Sequence, residues 1–382
     1  MRKLVPAGIT MVAATYGLAR YAYGLFLPDI QMDLGLSTSF MGVVAGVSYA
    51  GFLAATLVGT WLSNHFGPRL PIVAGGLFAA AGMTLISMAT NSWVLATGVF
   101  LAGCSPGLAY PPFSDTVMNL IKKKDRNRAY AWINSGTGFG VLLAGPLAIW
   151  AGADWRSAWF AFAVVAFVAA LWNARQLPGG LLTRQKSNHH NYFKIITENK
   201  CGLMFISALL FGIATSVYWT FAVDLITTTG LVKTSDSAVF WVFIGLAGII
   251  GCQAGDFISR FGLQNVFTAS LSAISFAMVS LAMAPDNFWI VSLSGALFGS
   301  SFIIATAAFG IWSIYLFQKT PSVGFGLTFF LISLGQLTGP VAASYATEFL
   351  DMPTNFYIAG LLCMLLLAFS PEKVIRSMNE KM

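Results

Sequence analysis

Charged residues are scarce in this sequence. Only 9% of its 382 residues are Asp, Glu, Lys or Arg, whereas 57% are apolar. Soluble domains carry about 25% charged and about 45–50% apolar residues. Side chains of this composition cannot cover a solvated surface, which excludes a water-soluble enzyme. The mean hydropathy of +0.75 indicates that most of the chain faces lipid.

Cysteines and nucleotide-binding motifs are equally few. The four cysteines lie far apart within apolar runs and form no CxxC pair, so their spacing favours neither disulfides nor a metal site. The tandem His189-His190 has no third ligand nearby in the sequence, and we interpret it as part of a solvated loop. P-loop, Rossmann glycine and GxSxG motifs are missing from the sequence, and with them the components of ATP-driven transport and hydrolysis. We expect no cofactor, no metal ion and no enzymatic activity.

Long apolar runs fill most of the chain. A transmembrane helix needs about 20 apolar residues, and twelve runs of that order follow one another. They cover roughly residues 5–28, 40–62, 71–90, 93–120, 130–151, 157–174, 201–227, 236–258, 264–284, 288–317, 324–346 and 354–370. The pattern predicts an all-α membrane protein with twelve transmembrane helices in two six-helix bundles, residues 1–175 and 201–382. A basic linker over 176–200 joins the bundles.

Lys and Arg residues are distributed unevenly along this predicted topology. With the N-terminus inside, all but three of the 21 fall on the inner side, the exceptions being Arg20, Arg156 and Lys233. By the positive-inside rule, both termini are cytoplasmic in a bacterial inner membrane. Because topology accounts for the net charge of +7, we expect the lipid bilayer as partner and no nucleic acid. We also expect a monomer.

The two halves of the sequence repeat each other. A shift of 195 residues aligns five positions of the first apolar run with identical residues in the seventh. They are Gly17, Ala19, Tyr23, Phe26 and Asp29, aligned with Gly212, Ala214, Tyr218, Phe221 and Asp224. At a shift of 194 residues, Gly145-Pro146 corresponds to Gly339-Pro340. Duplicated helical units are typical of secondary transporters, whose substrate sites lie between the repeats near the middle of the bilayer.

Two loops resemble a known signature. The loop from Gly59 to Arg69 (GTWLSNHFGPR) is similar to the pattern GxxxDRxGRR, with Asn64 and His65 in place of the usual Asp and Arg. A second copy, GDFISRFG, begins at Gly255. With twelve predicted helices in two halves, the chain resembles the major facilitator superfamily (MFS), which implies that superfamily's fold and a transport function.

The first helix resembles two branches of the superfamily. Arg20 lies eight residues before Pro28, and the segment DLGLS begins at Asp33. This arrangement is similar to the anion:cation symporters and to bacterial carriers of the YbfB/YjiJ type. The sequence departs from the symporters at Pro106, where their fourth helix usually carries a Glu.

Arg20 is the strongest candidate for a substrate ligand. Ionisable residues within a membrane are costly and usually functional, and a guanidinium binds carboxylate or phosphate through two parallel hydrogen bonds. The alternative is a structural arginine paired with backbone carbonyls or with an acid of another helix. The equivalent position in the second half is Thr215, and a single positive charge favours a monoanion.

Further polar and aromatic residues within the runs are candidates for substrate contact, or alternatively for helix packing and the interfacial aromatic belt. The complete predicted substrate set is Arg20, Tyr16, Tyr23, Tyr49, Asn134, Thr215, Tyr218, Trp219, Trp241, Trp312 and Gln336. The predicted gating or ion-coupling residues are Asp29, Asp115, Asp224, Asp256, Arg260 and Glu348. Solvated helix ends are the alternative for Asp29, Asp224 and Glu348. We expect Asp115 to pair with a nearby arginine, and Asp256 and Arg260 to form a cytoplasmic ion pair.

Together these patterns predict a secondary active transporter. It would move a small, monocarboxylate-like organic anion by alternating access. We expect coupling to protons, with another coupling ion or substrate exchange as the alternatives. An efflux pump for lipophilic drugs is the first alternative, favoured by the aromatic interior. A non-transporting receptor or scaffold is the second, because Asn64 and His65 depart from the signature loop.

Overall fold

The computed structural model describes residues 3–122, 125–152, 154–180, 201–228, 234–317, 321–369 and 371. These residues form twelve helical segments and no strand. The first six are α1 (Leu4–Val12, Ala13–Tyr21 and Ala22–Leu34), α2 (Thr38–Phe66), α3 (Arg69–Ser87), α4 (Ser92–Leu120), α5 (Arg126–Asn134 and Gly136–Ala151) and α6 (Trp155–Gln176). The last six are α7 (Gly202–Thr228), α8 (Thr234–Gly248, Ile249–Gln253 and Ala254–Phe261), α9 (Leu263–Met283), α10 (Phe288–Leu316), α11 (Pro321–Ala346) and α12 (Met352–Leu365 and Leu366–Phe369).

The helices have the length and composition of membrane spans. Eleven of those in the described residues are long and apolar enough to cross a bilayer. The twelfth is α1, which is helical without a break from residue 4 to 34 but changes to a π-helix over Ala13–Tyr21. Large apolar side chains such as Phe160 and Leu293 are exposed on the outside of the bundle, as lipid contact requires. The predicted all-α membrane fold is confirmed.

Side-chain caps fix where five of the helices begin. Ser37, Asn91, Asp154, Asn287 and Asp351 each accept a hydrogen bond from a backbone N–H in the first turn of α2, α4, α6, α10 and α12. Such caps satisfy donors that the helix leaves unpaired. All five lie on one side of the bundle. We call this side, where α1 ends and α2 begins, the far face, and the opposite side, where α1 begins, the near face.

The structure repeats the duplication seen in the sequence. Gly17 of α1 packs against Gly140 of α5, and neither position has room for a Cβ. At the same shift of 195 residues, Gly212 of α7 packs against Gly335 of α11 in the same way. Close approach of two backbones at small residues is a common form of helix packing in membranes. The two halves therefore use one packing scheme, and the bundles are pseudo-symmetric.

The halves contact each other tightly toward the far face. Gly42 of α2 lies against Ser344 and Pro340 of α11, and Gly24 of α1 lies against the backbone of Trp219 in α7. Ser39 Oγ donates to the carbonyl of Ser344 over 3.4 Å. The far side of the molecule is thus closed. On the near side, the ring centroids of Tyr130 in α5 and Phe325 in α11 lie 6.2 Å apart.

Two boundaries in the predicted domain plan fall near or beyond the described residues. Helix α6 ends at Gln176, close to the predicted end of the first bundle. Most of the predicted linker, residues 181–200, lies outside the described part of the chain, together with His189-His190 and residues 372–382. The division into 1–175, 176–200 and 201–382 stays a prediction.

Candidate functional site

Arg20 lies at the centre of the bundle, on the π-helical part of α1. It is only 5% exposed. Its Nη2 donates a 3.0 Å hydrogen bond to Oε1 of Gln336 on α11, so this contact joins the two halves. Within the described residues the single ion pair is between Arg156 and Asp33, 2.6 Å apart at the far face. The charge of Arg20 therefore has no carboxylate partner in this part of the chain.

Four aromatic rings surround the guanidinium. Its Cζ lies 4.3 Å from the ring centroid of Phe52, 4.4 Å from Tyr49, 5.5 Å from Tyr16 and 5.7 Å from Tyr21. A cation over an aromatic face is stabilised by the negative face of the ring. These contacts make a buried charge tolerable in the absence of an anion.

The π-helix explains part of this arrangement. Its i→i+5 hydrogen bonding brings residues five apart toward one face, and the rings of Tyr16 and Tyr21 lie 6.3 Å apart. An α-helical spacing groups Tyr16 with Arg20, four residues later, but does not place Tyr21 on the same face as Tyr16, which is why sequence reasoning missed Tyr21. It also missed Ser48 and Phe52 of α2. Their positions could have indicated them, because Ser48 lies one residue before Tyr49 and Phe52 three residues after it, on one face of the helix.

A small cavity adjoins Arg20. Its volume is about 10 Å³, which is room for about one water molecule. The lining residues are Arg20, Tyr21, Tyr23, Gly24, Ala45, Ser48, Tyr49, Trp219 and Thr220. Three of their polar atoms, Arg20 Nε, Ser48 Oγ and Trp219 Nε1, are buried without a hydrogen-bond partner in the described structure. Arginine and indole nitrogens are donors only, so the cavity is matched to hydrogen-bond acceptors.

Several residues of the predicted substrate set meet here. Arg20, Tyr23, Tyr49 and Trp219 line the cavity, while Tyr16 and Gln336 contact the guanidinium. The hydroxyl of Tyr23 is used within the protein, because it donates to the carbonyl of Met41 over 3.0 Å. Trp241 does not line the cavity, but its ring centroid lies 5.8 Å from that of Trp219.

Other predicted residues lie away from the cavity. Thr215 donates to the carbonyl of Phe211 in its own helix, over 2.7 Å, and the hydroxyl of Tyr218 is 2.7 Å from Ser294 Oγ. Trp312 packs between aromatic rings of the second half. Asn134 accepts a 3.0 Å hydrogen bond from the hydroxyl of Tyr110. The hydroxyl groups of Thr215 and Tyr218 and the amide oxygen of Asn134 are thus bonded within the protein, whereas Trp312 Nε1 has no hydrogen-bond partner in the described structure. A role of these four residues in substrate binding stays a prediction.

The predicted gating residues have different surroundings. Glu348, in the turn after α11, accepts a 3.2 Å hydrogen bond from Ser39 of α2, so it joins the halves at the far face. Asp29 is half-buried and Asp224 is 6% exposed, both toward the far ends of their helices. The side chain of Asp115 lies outside the described structure.

The predicted ion pair between Asp256 and Arg260 is wrong. Among the described residues these two side chains do not come within 4.0 Å of each other, although they are one helical turn apart in Ala254–Phe261. Both are exposed, and the guanidinium lies over the ring of Phe261, with 5.3 Å between Cζ and the centroid. Solvated charges gain little from pairing, which explains the difference.

Known proteins share this architecture. Multidrug resistance protein MdtH of Salmonella typhi is 23% identical over 288 residues, which cover 72% of this chain and 69% of MdtH. The solved structure of nucleoside transporter NupG matches with a TM-score of 0.74 and 12% identity, over 96% of this chain and 98% of that one. A D-xylose-proton symporter matches with a TM-score of 0.74 and 15% identity, over 96% of each chain. At these identities the two structures show the fold alone.

The family model described as "Uncharacterised MFS-type transporter YbfB" matches residues 11–370, almost the whole described chain. Of the two branches that the first helix resembles, this is the YbfB one. The match confirms that the protein is a multi-pass membrane transporter for a small molecule and not an enzyme. It favours transport over the receptor or scaffold alternative. The chain belongs to the YbfB-type family of the major facilitator superfamily.

Proposed function

We propose that this transporter moves a small organic anion of the monocarboxylate type across the bacterial inner membrane, by alternating access coupled to protons. In this proposal both termini lie in the cytoplasm and the protein acts as a monomer. The observation that supports the anion is the set of three unpartnered polar groups, Arg20 Nε, Ser48 Oγ and Trp219 Nε1, around one cavity.

The chemistry of these groups selects the ligand. The guanidinium and the indole can only donate, so a carboxylate satisfies them, whereas an ammonium group, which also can only donate, does not. The cavity contains one cationic residue, Arg20. A second negative charge on the ligand would be left unpaired in a medium of low dielectric, at high cost. A monoanion therefore fits better than a dianion.

The hydrogen bond between Arg20 and Gln336 supports alternating access. It joins the two halves across the site, and the cavity of about 10 Å³ is too small for any carboxylate. A substrate must separate α1 from α11 to enter, and then takes the place of Gln336 on Arg20. Since the far face is closed by Ser39 and Glu348, we propose that the near face opens in this step.

The proposed coupling to protons is supported by a structural likeness and by acidic residues of the predicted gating set. One of the similar structures is a D-xylose-proton symporter, and the carboxyl groups of Asp29, Asp115, Asp224 and Glu348 are the proposed gating or coupling groups. Asp224 is the most buried of those whose side chains are described.

Drug efflux is the second candidate function. It is favoured by the likeness to MdtH, a multidrug resistance protein, and by the aromatic rings around Arg20. Two measurements separate the candidates. Anion transport predicts uptake of the anion by intact cells, and drug efflux predicts increased drug susceptibility of a deletion strain.

The variant Arg20→Ala tests the proposal directly. We expect it to fold and to lose both binding and transport of monocarboxylates, since no described acid depends on Arg20 for its charge partner. Arg20→Lys keeps the charge but loses the two-pronged geometry, so binding weakens by about 1.5–3 kcal/mol, the range for charge-assisted hydrogen bonds. The measurements are uptake of labelled monocarboxylates into proteoliposomes and thermal stabilisation of the purified protein by the same anions.

Arg156→Ala is the matched control, because it removes an arginine whose ion pair is partly exposed at the far face. It should retain binding. Normal transport by a well-folded Arg20→Ala variant would contradict the proposal. Joint loss of expression and melting temperature would instead indicate a structural arginine.

A further inference from the structure

A second cavity lies next to the first. Its volume is also about 10 Å³, and Trp219 lines both cavities. The second cavity is bounded by Val141 of α5, Ile244 of α8 and Ile303 of α10, with Thr137 and three glycines completing it. Trp219 thus separates a compartment with three unpartnered polar groups from one whose side chains are mostly aliphatic.

The glycines of the second compartment come from three helices. They are Gly138 of α5, Gly248 of α8 and Gly299 of α10. A Cβ on Gly299 would overlap the carbonyl of Ile244, whereas a Cβ on Gly248 would lie 3.5 Å from its nearest neighbour, the carbonyl oxygen of Gly299. A methyl group at Gly248 therefore fits at ordinary contact distance. It would take up part of the compartment without displacing the backbone.

We propose that the substrate is a monocarboxylate with a compact apolar body, which places its carboxylate in the Arg20 compartment and its hydrocarbon part in the compartment lined by Val141, Ile244 and Ile303. This inference rests on the proposed function and narrows its substrate class. An apolar body gains from burial against aliphatic side chains. A hydroxylated sugar acid would leave hydroxyl groups without partners there, which is costly.

Three carboxylates serve as probes with the purified full-length protein, with calorimetry as the measurement. Benzoate carries an apolar ring, acetate carries little apolar surface, and gluconate carries hydroxyl groups. We expect benzoate to bind at least about tenfold more tightly than acetate, the low end of what one hydrocarbon group contributes in an apolar pocket. Gluconate should bind no more tightly than acetate.

Gly248→Ala tests the location of the ring. Gly248 has helical backbone angles, φ −60° and ψ −27°, so alanine is compatible with the fold and favoured over glycine in a helix. We expect about a tenfold loss of benzoate affinity, since a methyl group competes with the ring for space, and unchanged acetate affinity. Gly255→Ala is the matched control on the same span, because a Cβ there meets no atom within 4 Å. It should leave both affinities unchanged.

Ile303→Val gives a test of opposite sign. It enlarges the compartment, so the affinity for 2-naphthoate should rise relative to benzoate. The inference is overturned if benzoate and acetate bind equally, if gluconate binds most tightly, or if Gly248→Ala has no effect on benzoate.

Failure of the proposed function has a different signature. If the anions bind in an Arg20-dependent manner but without preference for the ring, the apolar compartment is wrong and anion transport stands. If Arg20→Ala binds benzoate and acetate as the wild type does, or if neither binds to the wild type, the proposed function fails and this inference with it.

Discussion

Helices α1 and α7 are equivalent by the repeat but differ at their centres. Helix α7 is a regular α-helix over Gly202–Thr228, and Thr215 at its centre bonds to its own backbone. Helix α1 is π-helical over Ala13–Tyr21, and Arg20 at the matching position projects a charge toward α11. The two halves thus share one helical scaffold, but only the first half carries a charge at this position.

Because of this difference, the two halves contribute different kinds of groups to the site. The first half supplies the charge and the rings of Tyr16, Tyr49 and Phe52 around it. The second half supplies neutral groups, the amide oxygen of Gln336 and the indole of Trp219, which approach from the other side. In the proposed function, such a site binds a ligand with one negative charge. It also needs both halves together, as alternating access requires.

Of the substitutions that test this difference between a charged first half and a neutral second half, Gln336→Glu is expected to have the largest effect. It would give the second half a carboxylate 3.0 Å from the guanidinium, where the amide oxygen now lies, and this internal anion would compete with the substrate. We expect the ligand-free protein to melt at a higher temperature and to bind benzoate at least about tenfold more weakly, about 1.4 kcal/mol, because a hydrogen bond between ions is stronger than a neutral one.

Gln253→Glu on α8 is the control for the added charge, since Gln253 is exposed. It should change neither the melting temperature nor the affinity. Stronger anion binding by Gln336→Glu would mean that the substrate does not take the place of the Gln336 side chain on Arg20.

A smaller effect is expected from Trp219→Phe. The phenyl ring keeps the stacking on Tyr21, where the ring centroids are 4.1 Å apart, and loses only the Nε1 donor. We expect monocarboxylate binding to weaken by about 0.5–1.5 kcal/mol, the net contribution of one hydrogen bond. Calorimetry with acetate isolates this effect because acetate scarcely reaches the apolar compartment.

Trp159→Phe provides the comparison. Trp159 is also fully buried with an unpartnered Nε1 in the described structure, but it packs on Phe26 and Phe162, away from the cavity. Its substitution should leave acetate binding unchanged. Equal losses in both variants would show that the effect of Trp219→Phe arises from packing.

The sequence made the fold and the central charge predictable for physical reasons. Twelve apolar runs of spanning length have few alternatives in a bilayer, because each backbone must satisfy its own hydrogen bonds. A single cation within such a run is conspicuous, so Arg20 could be found by its cost alone. Trp219 and Gln336 are candidates in the opposite half because they are an aromatic and a polar residue within apolar runs.

The rest of the site depends on geometry that spacing does not encode. Tyr21 lies beside the Arg20 guanidinium because α1 changes to π-helical hydrogen bonding, and no residue pattern in the sequence indicates that change. Tyr218 was expected at the substrate, but its hydroxyl is bonded to Ser294, 76 residues later in the chain. Asp256 and Arg260 have the right spacing for a pair and stay solvated.

The smallest effect is expected from Thr215→Val, which tests whether the second half has a polar ligand of its own. Valine keeps the β-branched shape and removes a hydroxyl that bonds only to the carbonyl of Phe211 in the described structure. That carbonyl keeps its helical N–H partner, so binding of acetate should stay within about 0.5 kcal/mol of the wild type. Ser48→Ala is the counterpart in the first half. Its unpartnered hydroxyl lines the cavity, and its loss should weaken binding by about 0.5–1.5 kcal/mol. If calorimetry finds the reverse order, the hydroxyl of Thr215 faces the substrate in the open state, and the anion is shared between the halves more evenly than the closed structure indicates.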